Sequence, residues 1–199
     1  MSRLEVEANK TIITMQYFTD KYKEIIKERD KSFYDTKKEE LDNFAYVIKR
    51  YTGYEYWFLN KFLREDKVEG FSEKDLKSWA YCLHSSLSFR TSNVDNGTIV
   101  YRGVSLPAPN DWKVGKKFYF GEFISTSLDI NVAKNFSCGE TLMVITIKNN
   151  GTGKRVNYCR YIEDITNYPG EKEVLITAFC IFKITKIDGK TYYLDCEGY

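Results

Sequence analysis

Glu171 and Glu173 stand two residues apart in the stretch Tyr168-Pro169-Gly170-Glu171-Lys172-Glu173-Val174-Leu175-Ile176. Paired carboxylates suit proton transfer or the stabilisation of a developing positive charge. Tyr-Pro-Gly is turn chemistry, because Pro fixes φ and Gly tolerates φ > 0. Val-Leu-Ile, continued by Thr177-Ala178-Phe179, is a buried-strand run. If the backbone is already extended at Lys172, both carboxylates point to the same side of the chain. Like charges so placed are unfavourable unless a cationic ligand or a shared task rewards them. Taken alone, Glu-Lys-Glu also reads as a charged strand entry.

Two further triplets precede it. Tyr101-Arg102-Gly103 closes a strand start, Thr98-Ile99-Val100-Tyr101. An arginine beside a glycine that permits close backbone approach suits a phosphate or pyrophosphate. Ser125-Thr126-Ser127 follows Phe123-Ile124 and precedes a short helix from Asn131 to Phe136, for which Asp129 is a plausible cap. Its hydroxyls can orient a ligand or a carboxylate, or simply cap the helix.

In this order and spacing the three triplets resemble the Arg, Ser-Thr-Ser and Glu-x-Glu motifs of the mono-ADP-ribosyltransferases. They look most like the arginine-specific, eukaryotic-type (ecto-ART-like) branch. Val100-Tyr101-Arg102-Gly103-Val104, Phe123-Ile124-Ser125-Thr126-Ser127, Ala133-x-x-Phe136 and the Tyr168 to Ile176 stretch carry the resemblance, which covers about residues 38–187. It implies transfer of ADP-ribose from NAD to a protein side chain, arginine first, with nicotinamide leaving. NAD is then a co-substrate, the partner is an acceptor protein, and neither metal nor nucleic acid takes part.

The resemblance also implies residue roles. Glu173 would stabilise the oxocarbenium-like charge as nicotinamide leaves, as carboxylates do at glycoside-cleaving sites. Ser125 would hold Glu173 in place. Glu171 would face the acceptor guanidinium, a cation and a poor nucleophile until a proton is removed. Arg102 would bind the diphosphate and ribose, with Gly103, Thr126 and Ser127 completing the NAD site. Phe136 would pack on the nicotinamide ring, or be a plain core aromatic. Tyr168 would shape the acceptor loop, or staple the turn. Two other functions remain open: an NAD glycohydrolase on the same fold, and a non-catalytic NAD-binding or protein-docking domain.

Other chemistries are excluded by their missing residues. Gly151-Thr152-Gly153-Lys154 hints at a phosphate loop, but Lys148 stands where a glycine is required and Arg155 where Ser or Thr is. No Gly-x-Gly-x-x-Gly follows a strand, so dinucleotide binding of the Rossmann type is out. The single histidine, His84, lies in a helical stretch and not in the first motif. That removes the diphtheria-toxin and poly-ADP-ribose polymerase type, and any site needing two histidines. The five cysteines contain no C-x-x-C pair, which removes zinc and thioredoxin readings.

The elements that must carry these residues come in two blocks. Residues 1–95 read as helices. Ile12, Ile13, Tyr17, Tyr22, Ile25 and Ile26 have approximate helical spacing, and Leu41, Phe44, Ala45 and Ile48 have it clearly, with Gly53 as a stop. Ser72 caps a helix that turns Leu76, Trp79, Ala80, Leu83 and Leu87 inward. Residues 96–199 read as strands, with Gly121 a possible bulge, Thr141 to Ile147 the strongest run, and a loop and short strand from Thr152. Helices first and strands second is the α+β pattern, expected here as one domain over 1–199 with a mostly antiparallel, two-sheet β core. A hydrophobic content of 43% supports such a core, while a net charge of +2 does not suggest nucleic acid. No apolar leader and no run of about 20 apolar residues is visible. The expected setting is cytoplasmic or that of a secreted effector.

Overall fold

The computed structural model describes residues 6–7, 45–65, 68–88, 93–149 and 156–198. The spacing read at residues 12–26, Leu41, Phe44 and the loop from Thr152 to Arg155 lie outside them. Residues 45–50 are helical and run into a π turn, Tyr51–Glu55, then α1, Tyr56–Glu65. Gly53 does interrupt the helix, with ψ at −157°, but the chain resumes helical geometry at once. After Ser72, whose Oγ accepts from Asp75 N at 3.4 Å, comes α2, Glu73–Ser88. The five positions that helical spacing turns inward, Leu76, Trp79, Ala80, Leu83 and Leu87, are all buried.

Among the described residues, nine strands follow the order β1-β3-β8-β9-β5-β2-β4-β7-β6. They are β1 Val6–Glu7, β2 Ile99–Val104, β3 Lys117–Tyr119, β4 Ile124–Ser127, β5 Thr141–Ile147, β6 Cys159–Tyr161, β7 Glu173–Ile176, β8 Ile181–Asp188 and β9 Thr191–Gly198. Every pairing is antiparallel except β5 with β9. Helix α3, Ile130–Ser137, lies between β4 and β5 in sequence. The expected mixture of helices and mostly antiparallel strands is present. In place of two separate sheets there is one hydrogen-bonded order. Its halves are joined through a single registered pair, Tyr101 with Ser127.

Two apolar clusters flank the strands that carry the three triplets. Val174 and Ile176 of β7 and Ile124 of β4 join a cluster built from the strands. Leu175 points the other way, into a cluster of Ile48, Tyr51, Leu59, Phe62, Trp79 and Leu83 with Phe123. Alternation along a strand is the cause, and burial on both faces makes β7 the most enclosed strand of the site. All five cysteines are free thiols. Among the described residues no helix is long and apolar enough to cross a membrane.

Candidate active site

Strand register brings two of the triplets together. Ser125, Thr126 and Ser127 pair with Leu175, Val174 and Glu173, so all three lie within β4. Ser125 and Glu173 share the face that looks toward the helices, and Ser125 Oγ donates to Glu173 Oε1 at 2.5 Å. Thr166 Oγ1 donates to Glu173 Oε2 at 3.4 Å. Glu173 is buried. Burial pushes its carboxyl up to about 7; the Ser125 bond opposes this, Glu171 adds to it, and Thr166 and Arg102 oppose it.

Arg102 is in the body of β2, two residues before its end. Its Nη1 donates to the Ser125 carbonyl at 2.7 Å. Its Nε is buried with no hydrogen-bond partner. Burial lowers its pKa, and the Glu173 carboxylate opposes this.

The remaining triplet residues serve mainly as joints. Thr126 Oγ1 donates to Val174 O at 2.6 Å, on the face away from the helices. Ser127 Oγ donates to Glu171 O at 2.6 Å and accepts from Asp129 N at 2.9 Å. Asp129 in turn caps α3 through Asn131 N at 3.0 Å. Gly103 has its close backbone neighbour, but that neighbour is α3. A Cβ built there would fall 1.8 Å from Ala133 O and 2.5 Å from Ser137 N.

The carboxylate stretch departs from simple extension. Lys172 has φ of 50°, in the left-handed region, and β7 starts only at Glu173. The two glutamates are therefore not on one face of an extended segment. Both nevertheless line the same cavity, because the backbone turns between them. The preceding loop is tied on two sides. Asn167 N donates to Thr52 Oγ1 at 3.0 Å, and Gly170 N donates to Glu163 Oε1 at 2.6 Å. Glu171, half-buried beside Glu163, has its pKa raised by burial first and by Glu163 second.

The cavity measures about 460 Å³ and is lined by all nine residues singled out from sequence: Arg102, Gly103, Ser125, Thr126, Ser127, Phe136, Tyr168, Glu171 and Glu173. Phe136 and Tyr168 are exposed at its rim, 57% and 48%, so Phe136 is not a core aromatic. Tyr51, Thr52 and Tyr56 also line it, and sequence reading had missed them. Tyr51 hydroxyl donates to Phe123 O at 3.1 Å and accepts from Asn60 Nδ2 at 3.0 Å. Asn60 Oδ1 accepts from Phe123 N at 3.3 Å, which pins the entry to β4. A signal was present: Tyr51, Tyr56 and Asn60 are polar-tipped residues near helical spacing around a glycine. Among the described residues no cluster of His, Cys, Asp and Glu has the geometry to hold a metal ion.

A family model described as "ADP-ribosyltransferase exoenzyme" matches residues 19–194. No curated protein matches the chain. Solved structures do. The eucaryotic mono-ADP-ribosyltransferase ART2.2 is 22% identical, with 94% of this chain and 78% of that one covered at a TM-score of 0.60. Exoenzyme S from Pseudomonas aeruginosa, solved with human 14-3-3 protein beta and bound to carba-NAD, is 20% identical over 77% and 73% at 0.59. Vis toxin from Vibrio splendidus is 20% identical over 98% and 87% at 0.59. These likenesses are likenesses of fold.

Proposed function

Because the chain belongs to the ADP-ribosyltransferase exoenzyme family, we propose that it is a mono-ADP-ribosyltransferase that modifies an arginine side chain of an acceptor protein. The observation that carries the reading is the buried Glu173, bonded by Ser125 at 2.5 Å, at one cavity with Glu171 and Arg102. ART2.2 and exoenzyme S, with the same fold, have been solved with NAD and carba-NAD respectively.

The residues present fit NAD. The cavity volume is within the range of about 300–1,000 Å³ usual for small-molecule sites. The buried, unpartnered Nε of Arg102 calls for an anion, and a diphosphate supplies one. Phe136 offers an exposed aromatic face at the rim for the nicotinamide ring. Bound NAD supplies an N-glycosidic bond whose cleavage releases nicotinamide and passes ADP-ribose to a nucleophile.

Glu173 supplies the fixed negative charge that opposes positive charge developing at the sugar. Burial makes it unwilling to ionise alone, so a nearby cation is strongly welcome to it. Ser125 and Thr166 set its orientation. Thr126 and Ser127 act indirectly, by holding β4 against β7 and against the Glu171 backbone. Glu171 receives the acceptor guanidinium and takes its proton. Its raised pKa makes it a better base than an ordinary carboxylate. Tyr168 shapes the acceptor side of the loop. No metal ion enters this reading.

Labelled NAD incubated with the protein and either an arginine-rich acceptor protein or one lacking arginine tests it. Label on the first and not the second is expected. Free ADP-ribose without labelled protein would make the chain a glycohydrolase, and no nicotinamide release would remove the enzyme reading.

A further inference from the structure

Behind Arg102 lies a buried carboxylate with no part in the chemistry above. Glu122, in the bend between β3 and β4, has only 5% of its side chain exposed. Its Oε2 accepts a hydrogen bond from Nη1 of Arg64, near the end of α1. Its Oε1 stands 3.9 Å from Nη2 of Arg102, beyond hydrogen-bond reach. One buried carboxylate thus lies between two guanidiniums and bonds to only one. Arg102 meets the Ser125 carbonyl, and its Nε has no partner.

A guanidinium and a carboxylate brought together away from water make a close, often bidentate pair. Such a pair would occupy the donors that an anionic ligand needs. We propose that Arg64 is a positioning residue for NAD: it draws the Glu122 carboxylate away from Arg102, so that Arg102 keeps its donors for the diphosphate. The inference rests on the reading of Arg102 as the group that holds NAD. Arg64 does not line the cavity, and its effect on Arg102 is through Glu122.

The alternative is a salt bridge that merely ties α1 to the bend, and Glu122→Gln, alone and together with Arg64→Gln, separates the two. NAD affinity of the full chain is measured by calorimetry, with circular dichroism for folding. Arg64→Gln should weaken NAD binding about tenfold or more, because Glu122 is released onto Arg102. Adding Glu122→Gln should bring affinity back to within about threefold of wild type, because a neutral amide does not capture a guanidinium. A merely structural bridge is broken in Glu122→Gln alone as well and predicts weaker NAD binding there, whereas the inference predicts that Glu122→Gln alone binds NAD within about threefold of wild type, and a loss of about tenfold in that variant overturns it. Unchanged affinity in Arg64→Gln, or a loss that Glu122→Gln does not reverse, overturns the inference. If Arg64→Gln fails to fold, the double variant decides: near-wild-type affinity supports the inference and a tenfold loss overturns it. Arg102→Gln is the control. Wild-type affinity there overturns the reading of Arg102 itself, and this inference with it; a loss there beside no loss in Arg64→Gln overturns this inference alone.

Discussion

At the scale of single residues, the burial that raises the Glu173 carboxyl weakens the fold at neutral pH. Its carboxyl sits near 7 in the native protein against 4.5 ordinarily, mainly through burial. Between those values the native state binds more protons than the unfolded one, so stability falls as pH rises from about 4.5 to 7. His84 does the reverse. Burial lowers it from 6.5 to about 4, so the unfolded state binds more protons there, and stability falls as pH drops from about 6.5 to 4. The two effects largely cancel over the shared window. We therefore predict that Glu173→Gln is more stable than wild type above pH 7, by up to about 3 kcal/mol. The same variant should show the uncancelled His84 slope, losing stability on acidification below about 6.5. Denaturant unfolding from pH 4 to 8 checks both, and a variant no more stable than wild type at pH 8 would contradict the burial argument. The candidate site residues were legible to the extent that they form contiguous triplets. Arg102, Ser125 and Glu173 each stand in a short word whose chemistry can be read locally. Glu122 and Arg64 were not legible, because their pairing spans 58 residues and neither neighbourhood hints at it.

At the scale of elements, α3 is seated on β2 through Gly103, and this seat fixes where Phe136 stands. A methyl group at position 103 has nowhere to go, since Ala133 O and Ser137 N are both backbone. Gly103→Ala is expected to cost about 1–3 kcal/mol by overpacking and to weaken NAD binding as α3 and Phe136 shift. Thermal unfolding with an NAD titration measures both, and wild-type values in both would contradict the seating argument. The sequence suggested a close approach at Gly103 but not its partner, which only the packing of a helix 30 residues onward reveals. Helix α2 was legible from periodicity and capping. The conformation of Glu171-Lys172-Glu173 was not. Lys172 is a non-glycine residue at φ of 50°, a state that costs about 1–2 kcal/mol and has no signature in residue type. The loop bonds of Ser127, Thr52 and Glu163 hold it there.

At the scale of the molecule, the cavity is lined both by the helical segment, through Tyr51, Thr52 and Tyr56, and by the sheet, through Arg102, Ser125 and Glu173. The α+β order was visible from the change of texture near residue 96. The sheet's continuity was not, because it depends on one bridge between β2 and β4. This architecture gives the two glutamates different surroundings. Glu173 is anchored in a strand buried on both faces, whereas Glu171 is half-buried on a turn. Their chemistry should divide accordingly. On the proposed function, Glu173 would act whenever nicotinamide leaves, whatever the acceptor, and Glu171 would act only on a guanidinium, which needs help that water does not. The most direct measurement is nicotinamide release beside protein labelling for Glu173→Gln and Glu171→Gln, with circular dichroism to verify folding. Glu173→Gln should lose both activities by about a hundredfold or more. Glu171→Gln should lose protein labelling while nicotinamide release persists. If Glu171→Gln loses nicotinamide release as completely as Glu173→Gln, or if Glu173→Gln keeps either activity near wild type, the division of labour between the two carboxylates is contradicted.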